Sequence, residues 1–240
     1  MIKKIFLILI VLFLTSGAYA EEVEGKKKQF SFNSIFTVIN NYYWRGEYLY
    51  PEGVPSFQPE ATLTYEKVPV SLNIWSSIPL RKRAQLSDVK DELDIQFSGD
   101  ISISKKLTLT LGLEEYTYPF ATMFSHTEEL YAVFSYELPH GFGLEFDSYV
   151  DVNDLKGIYL GFFPFYQTSI HKDLDLKLQM LLSYANYSVS KPQFRELGFR
   201  AQLAWQLSDY ISLNTAALYN YNYSAGKNLY AVCMGLGFGI

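Results

Sequence analysis

The chain has 240 residues, with 20 basic and 25 acidic side chains, one cysteine, and 17% aromatics that are dominated by 20 tyrosines and 18 phenylalanines. The acidic balance argues against nucleic acid or an anionic lipid surface as partner, and the lone Cys233 excludes an intrachain disulfide framework. Beyond residue 20 no apolar run approaches the roughly 18 residues that a transmembrane helix needs.

The first stretch, "MIKKIFLILIVLFLTSGAYA", sets Lys3 and Lys4 before an apolar run from Ile5 to Leu14 and ends in Ala18-Tyr19-Ala20. A basic start, a short apolar middle and a small-x-small end predict a signal peptide over 1–20, cleaved after Ala20. Its removal leaves 18 basic against 25 acidic side chains, a net charge of −7. Residues 21–29 then read as a short periplasmic segment, and 30–240 as one domain.

From residue 30 onward the dominant signal is a period of two. In the first strand Phe32, Phe36, Val38, Tyr42 and Trp44 alternate with Asn33, Thr37, Asn41 and Arg45, and Gly46 ends the run. "FQPEATLTYE", "ELDIQFSGDISIS", "KLTLTLGLE", "FGLEFDSYVDV", "LDLKLQMLLSY" and "ELGFRAQLAWQL" repeat the pattern, with one apolar and one polar face each. Tight polar connections at 66–68, 105–106, 139–141, 172–173 and 208–209 alternate with longer ones at 47–56, 81–91, 119–127, 153–157, 188–194 and 224–228. These eleven connections predict twelve strands, ten being the alternative, with both ends and the tight turns on the periplasmic side. The expected fold is all-β: an antiparallel, up-and-down transmembrane β-barrel.

Aromatics cluster at strand ends, as expected of two interfacial girdles. Tyr42, Trp44, Tyr116, Tyr118, Tyr184, Tyr187, Tyr219, Tyr221 and Tyr223 mark the long-loop side; Tyr65, Tyr136, Trp205 and Tyr210 mark the other. This assigns "NNYYWRGEYLYP" (40–51) to the outer girdle, with Arg45 turned inward, in preference to an aromatic platform for a sugar or a base. The competing fold, a soluble sandwich or lipocalin-like barrel, would bury its apolar face rather than place Asp, Glu and Gln along every inner one. The last strand, "LYAVCMGLGFGI", puts Tyr230, Val232, Met234, Leu236, Phe238 and Ile240 on the lipid side, and Cys233 inward as a small filler.

Residues "YYWRG" (42–46) and "PSFQPEATLTY" (55–65), with "ELDIQFSG" (92–99) and "EELYAVFSYEL" (128–138), resemble a proteobacterial outer-membrane β-barrel family. Its members carry a Tyr-x-Trp/Phe-Arg-Gly element followed by Pro-x-x-Gln. The resemblance implies the barrel and carries no substrate.

The same alternation lists the inner charges. Acids are Glu60, Glu92, Asp94, Asp100, Glu114, Glu145, Asp147, Asp151, Asp175 and Glu196; bases are Arg45, Lys177 and Arg200. An acid excess predicts a wet, cation-favouring lumen rather than a plug of balanced ion pairs. The expectation is therefore a passive, porin-like channel for small neutral or cationic solutes in the outer membrane of a Gram-negative bacterium. Expected partners are outer-membrane lipid and lipopolysaccharide, the barrel-assembly machinery and small solutes. The alternatives are a closed structural or adhesive barrel and an outer-membrane hydrolase. A hydrolase would need a histidine at the outer rim with a Ser or Asp partner; only His126 falls in a long connection, near Ser125 and Glu128, while His140 and His171 lie by tight turns. No catalytic group, metal site or cofactor is predicted.

Overall fold

The computed structural model describes residues 29–81, 91–119, 126–153, 156–187, 192–223 and 225–240. The signal peptide, and all of the 21–29 segment except Gln29, lie outside the described residues.

In chain order the strands are β1 (Phe30–Ile39), β2 (Tyr43–Trp44), β3 (Glu47–Tyr48), β4 (Ser56–Tyr65), β5 (Val70–Pro79), β6 (Glu92–Ser102) and β7 (Leu107–Thr117). Then follow β8 (His126–Glu137), β9 (Phe142–Asp151), β10 (Gly157–His171), β11 (Leu174–Asn186), β12 (Gln193–Ser208), β13 (Ile211–Asn222) and β14 (Lys227–Gly239). β1 pairs antiparallel with both β4 and β14, and the other wall strands pair with their sequence neighbours, so twelve strands close into a barrel. Closure removes every open edge, which a sheet in hydrocarbon requires because no water is there to satisfy unpaired N–H and C=O groups. Only β2 and β3 stand apart, as a small hairpin. The tight connections fall at 66–69, 103–106, 138–141, 172–173 and 209–210, and longer ones alternate with them except between β13 and β14, where 223–226 is no longer than three of the tight ones.

The wall is apolar outside and charged inside. Phe97, Phe199, Val232 and Met234 are exposed, whereas Glu92, Asp94, Glu129 and Glu196 are buried. A belt of exposed Leu, Phe, Val and Ile on nearly every strand is stable against hydrocarbon and not against water. Trp205 is exposed on this outer wall, and Tyr221 shares it, since Asn220 and Asn222 on either side are buried.

One irregularity changes which residues face inward. Along β11 and β12, Ser183 pairs with Glu196 but Tyr184 pairs with Phe194, so Arg195 is an extra residue. Such a bulge lets two consecutive side chains share a face, and both Arg195 and Glu196 are buried.

Candidate functional site

β1 ends at Ile39 rather than at Gly46, and the long connection that follows spans 40–55. Asn40 and Asn41 redirect the chain, as residues that readily satisfy their own turns. Asn40 Oδ1 accepts from the Val232 N–H at 2.8 Å, Asn41 Nδ2 donates to the Tyr230 carbonyl at 2.9 Å, and Asn41 Oδ1 accepts from the Gly53 N–H at 2.6 Å. The two ends of the segment are thereby tied to each other and to β14, and the chain between them folds into the barrel.

Inside, β2 and β3 form a hairpin whose turn is Arg45 (φ 44°) and Gly46 (φ 86°). Positive φ at both central positions matches the twist of a two-residue hairpin. Glycine is also needed for space: a Cβ on Gly46 would lie 2.9 Å from the Arg195 carbonyl oxygen. On this side Asn222 Nδ2 donates to the Gly46 carbonyl, Arg195 pairs with Glu47, and the Tyr43 hydroxyl donates to Glu196. Glu196 also accepts from Tyr159 at 2.7 Å and Ser183 at 2.6 Å.

Arg45 reaches the opposite wall. Its two terminal nitrogens donate to the two Glu129 oxygens, each at 2.7 Å, and it donates further to the hydroxyls of Tyr187 at 2.8 Å and Tyr116 at 3.3 Å. The rings of Tyr149, Trp44 and Tyr159 lie 4.1, 4.6 and 4.6 Å from its guanidinium carbon. Burial opposes the Arg45 charge, but Tyr116 and Glu129 outweigh it and hold the group above its ordinary range. The return leg is fixed by Tyr50, whose hydroxyl donates to the Ser77 carbonyl at 3.1 Å. Partners thus come from β5, β7, β8, β12, β13 and β14, and from Tyr187 just past β11, so the segment spans the lumen from wall to wall.

These contacts correct the girdle assignment for five residues. Tyr42 is buried between the rings of Tyr50 (5.2 Å) and Trp75 (5.5 Å). Burial first, then Glu92 and Asp94, push its phenol well above the usual range, so it stays a neutral donor. Trp44 meets Tyr116 edge-on at 6.1 Å inside the barrel, Tyr118 faces Glu92, and Tyr116 and Tyr187 hold Arg45. The reason for Tyr42 and Trp44 is the Asn40-Asn41 turn, across which strand alternation does not continue. Tyr116 and Tyr118 share the inward parity of Glu114 on β7.

On the tight-turn side of the hairpin lies a cavity of about 330 Å³, bounded by Tyr43, Trp44 and Arg45. Six of the expected charges line it: Arg45, Glu114, Glu145, Asp147, Glu196 and Arg200. Gln96 Nε2 donates to Glu114 at 3.4 Å and Gln179 Nε2 to Glu145 at 3.3 Å, while the buried Asp147 Oδ1 has no hydrogen-bond partner. Glu60, Asp94 and Lys177 lie elsewhere in the lumen. Glu60 accepts from Asn73 Nδ2 at 2.7 Å, Asp94 is buried, and the Lys177 ammonium sits 4.6 Å from the centre of the Phe165 ring. Asp100 and Asp175 are exposed near the tight-turn rim, accepting from Thr110 and Ser169 at 2.6 Å each. Two groups that strand alternation did not single out are Glu129 and Arg195.

His126 opens β8, exposed, with Nε2 3.2 Å from Asn153 Nδ2; His140 occupies a tight connection and His171 ends β10. Among the described residues no group of three or more His, Cys, Asp or Glu side chains is placed to hold a metal ion.

No family model and no curated protein matches the chain. Solved structures do. The KdgM porin in complex with disordered oligogalacturonate is similar at a TM-score of 0.57 and 8% identity, over 87% of this chain and 98% of that one. An outer-membrane channel from Pseudomonas putida F1 gives 0.57 and 9%, over 92% and 98%. The NanC porin gives 0.54 and 9%, over 87% and 98%. At these identities the likeness is one of fold, a closed β-barrel.

Proposed function

We propose that the chain is a narrow outer-membrane channel for passive diffusion of small neutral or cationic solutes, with segment 40–55 forming its constriction. The observation that carries this reading is the charge left on the cavity once internal pairing is set aside. Arg45 is matched by Glu129, while Glu196 accepts from three neutral hydroxyls, which bring no counter-charge. Glu114, Glu145 and Asp147 then face the cavity against one further base, Arg200. Between low-dielectric walls such an excess concentrates cations and repels anions. A polyanion like the oligogalacturonate held by the KdgM porin is disfavoured by the same carboxylates. The tight turns face the periplasm, the outer belt meets lipid and lipopolysaccharide, and the barrel-assembly machinery inserts the chain. The Tyr-x-Trp/Phe-Arg-Gly motif supports the resemblance to the proteobacterial family.

A closed barrel is the second reading, favoured by one fact: the inward segment is bonded on opposite walls. Reversal potentials in a planar bilayer under a KCl gradient test the proposal. Cation preference is expected, weakening when Glu114, Glu145 and Asp147 become Gln, Gln and Asn together. Anion preference in the unmodified protein would overturn it.

A further inference from the structure

Arg45 is held as a ligand is held. Its guanidinium meets Glu129 fork to fork, both contacts at 2.7 Å, with the Glu129 side chain 1% exposed. The rings of Tyr149 and Tyr159 approach within 4.1 and 4.6 Å, in cation–π range. The hydroxyls of Tyr116 and Tyr187 complete the shell, and Tyr116 also donates to Glu129 at 2.9 Å. None of these five wall residues belongs to segment 40–55. With the hairpin lifted away, a carboxylate among four tyrosines remains in the wall, matched to a planar cation with forked donors.

We infer that the lumen wall carries a guanidinium-binding site, built from Glu129, Tyr116, Tyr149, Tyr159 and Tyr187, which the chain fills with its own Arg45 and for which solutes bearing a guanidinium group compete. A compact ammonium cannot reproduce the fork and is the weaker occupant. The tether gives Arg45 an effective concentration on the order of millimolar, so a solute displaces it only near or above that level. Displacement frees the hairpin tip from β8, and solute binding is thereby coupled to the width of the constriction. This coupling rests on the channel reading; the site itself does not.

Binding is measured without conductance, by calorimetric titration of the folded Arg45→Ala barrel with methylguanidinium in detergent. The variant is expected to bind methylguanidinium at least tenfold more tightly than the unmodified protein does, and tenfold more tightly than it binds methylammonium. Adding Glu129→Gln should abolish the preference. Should Arg45→Ala refold poorly, refolding yield by heat-modifiable gel migration reads the same site, and methylguanidinium, not methylammonium, restores it. Equal binding by the single and double variants, or no preference for guanidinium in either assay, overturns the inference.

Discussion

Glu129→Ala should destabilise the barrel by about 3–5 kcal/mol, because it strands a buried guanidinium without its counter-charge. The Arg45 side chain is 10% exposed and that of Glu129 1%, so water replaces little of what is lost. The barrel has one escape. The hairpin can leave the lumen and return Arg45 to solvent, giving up the contacts of Tyr43, Glu47 and Tyr50 with the wall. Either route is visible: the urea midpoint in lipid vesicles falls, or trypsin added outside cuts after Arg45. An unchanged midpoint together with continued protection of Arg45 would show that the pair does not hold the segment.

Phe199→Arg tests the outer wall. Phe199 lies midway along β12, 61% exposed, opposite Met180 on β11 and Tyr219 on β13. In a bilayer a charge at that depth costs about 2–4 kcal/mol. On a water-exposed surface the same change would fall within about 0.5 kcal/mol. Unfolding from vesicles should show the larger loss; a neutral result would place this face in water.

The barrel was legible because lipid outside and water inside impose opposite demands on alternate residues. β4, β6, β7 and β11 keep that alternation, and their registers follow it. The inward segment was not legible. Tyr42 and Trp44 continue the parity of β1 on paper, while the backbone turns at Asn40-Asn41, and a turn does not tell into which space the chain goes. Arg195 was hidden by the bulge, which flips parity for one residue. Glu129 was hidden because its inward neighbours on β8, Tyr131 and Val133, are themselves apolar and blur the contrast. Tyr118 needed no structure, since its parity with Glu114 already points it inward. The site's logic, a base on one segment meeting an acid 84 residues away, is tertiary and has no local signature.

Single-channel conductance bears most directly on the claim that segment 40–55 constricts a pore. The unmodified chain should be compared in planar bilayers with one whose residues 43–48 are a Gly-Ser stretch of equal length. The replacement removes Arg45, the hairpin turn and the Glu47 pair while keeping both anchored ends. Conductance several-fold above the unmodified level, with cation preference retained, is the expected result. Equal conductance from the two folded barrels, or none from either, would contradict it.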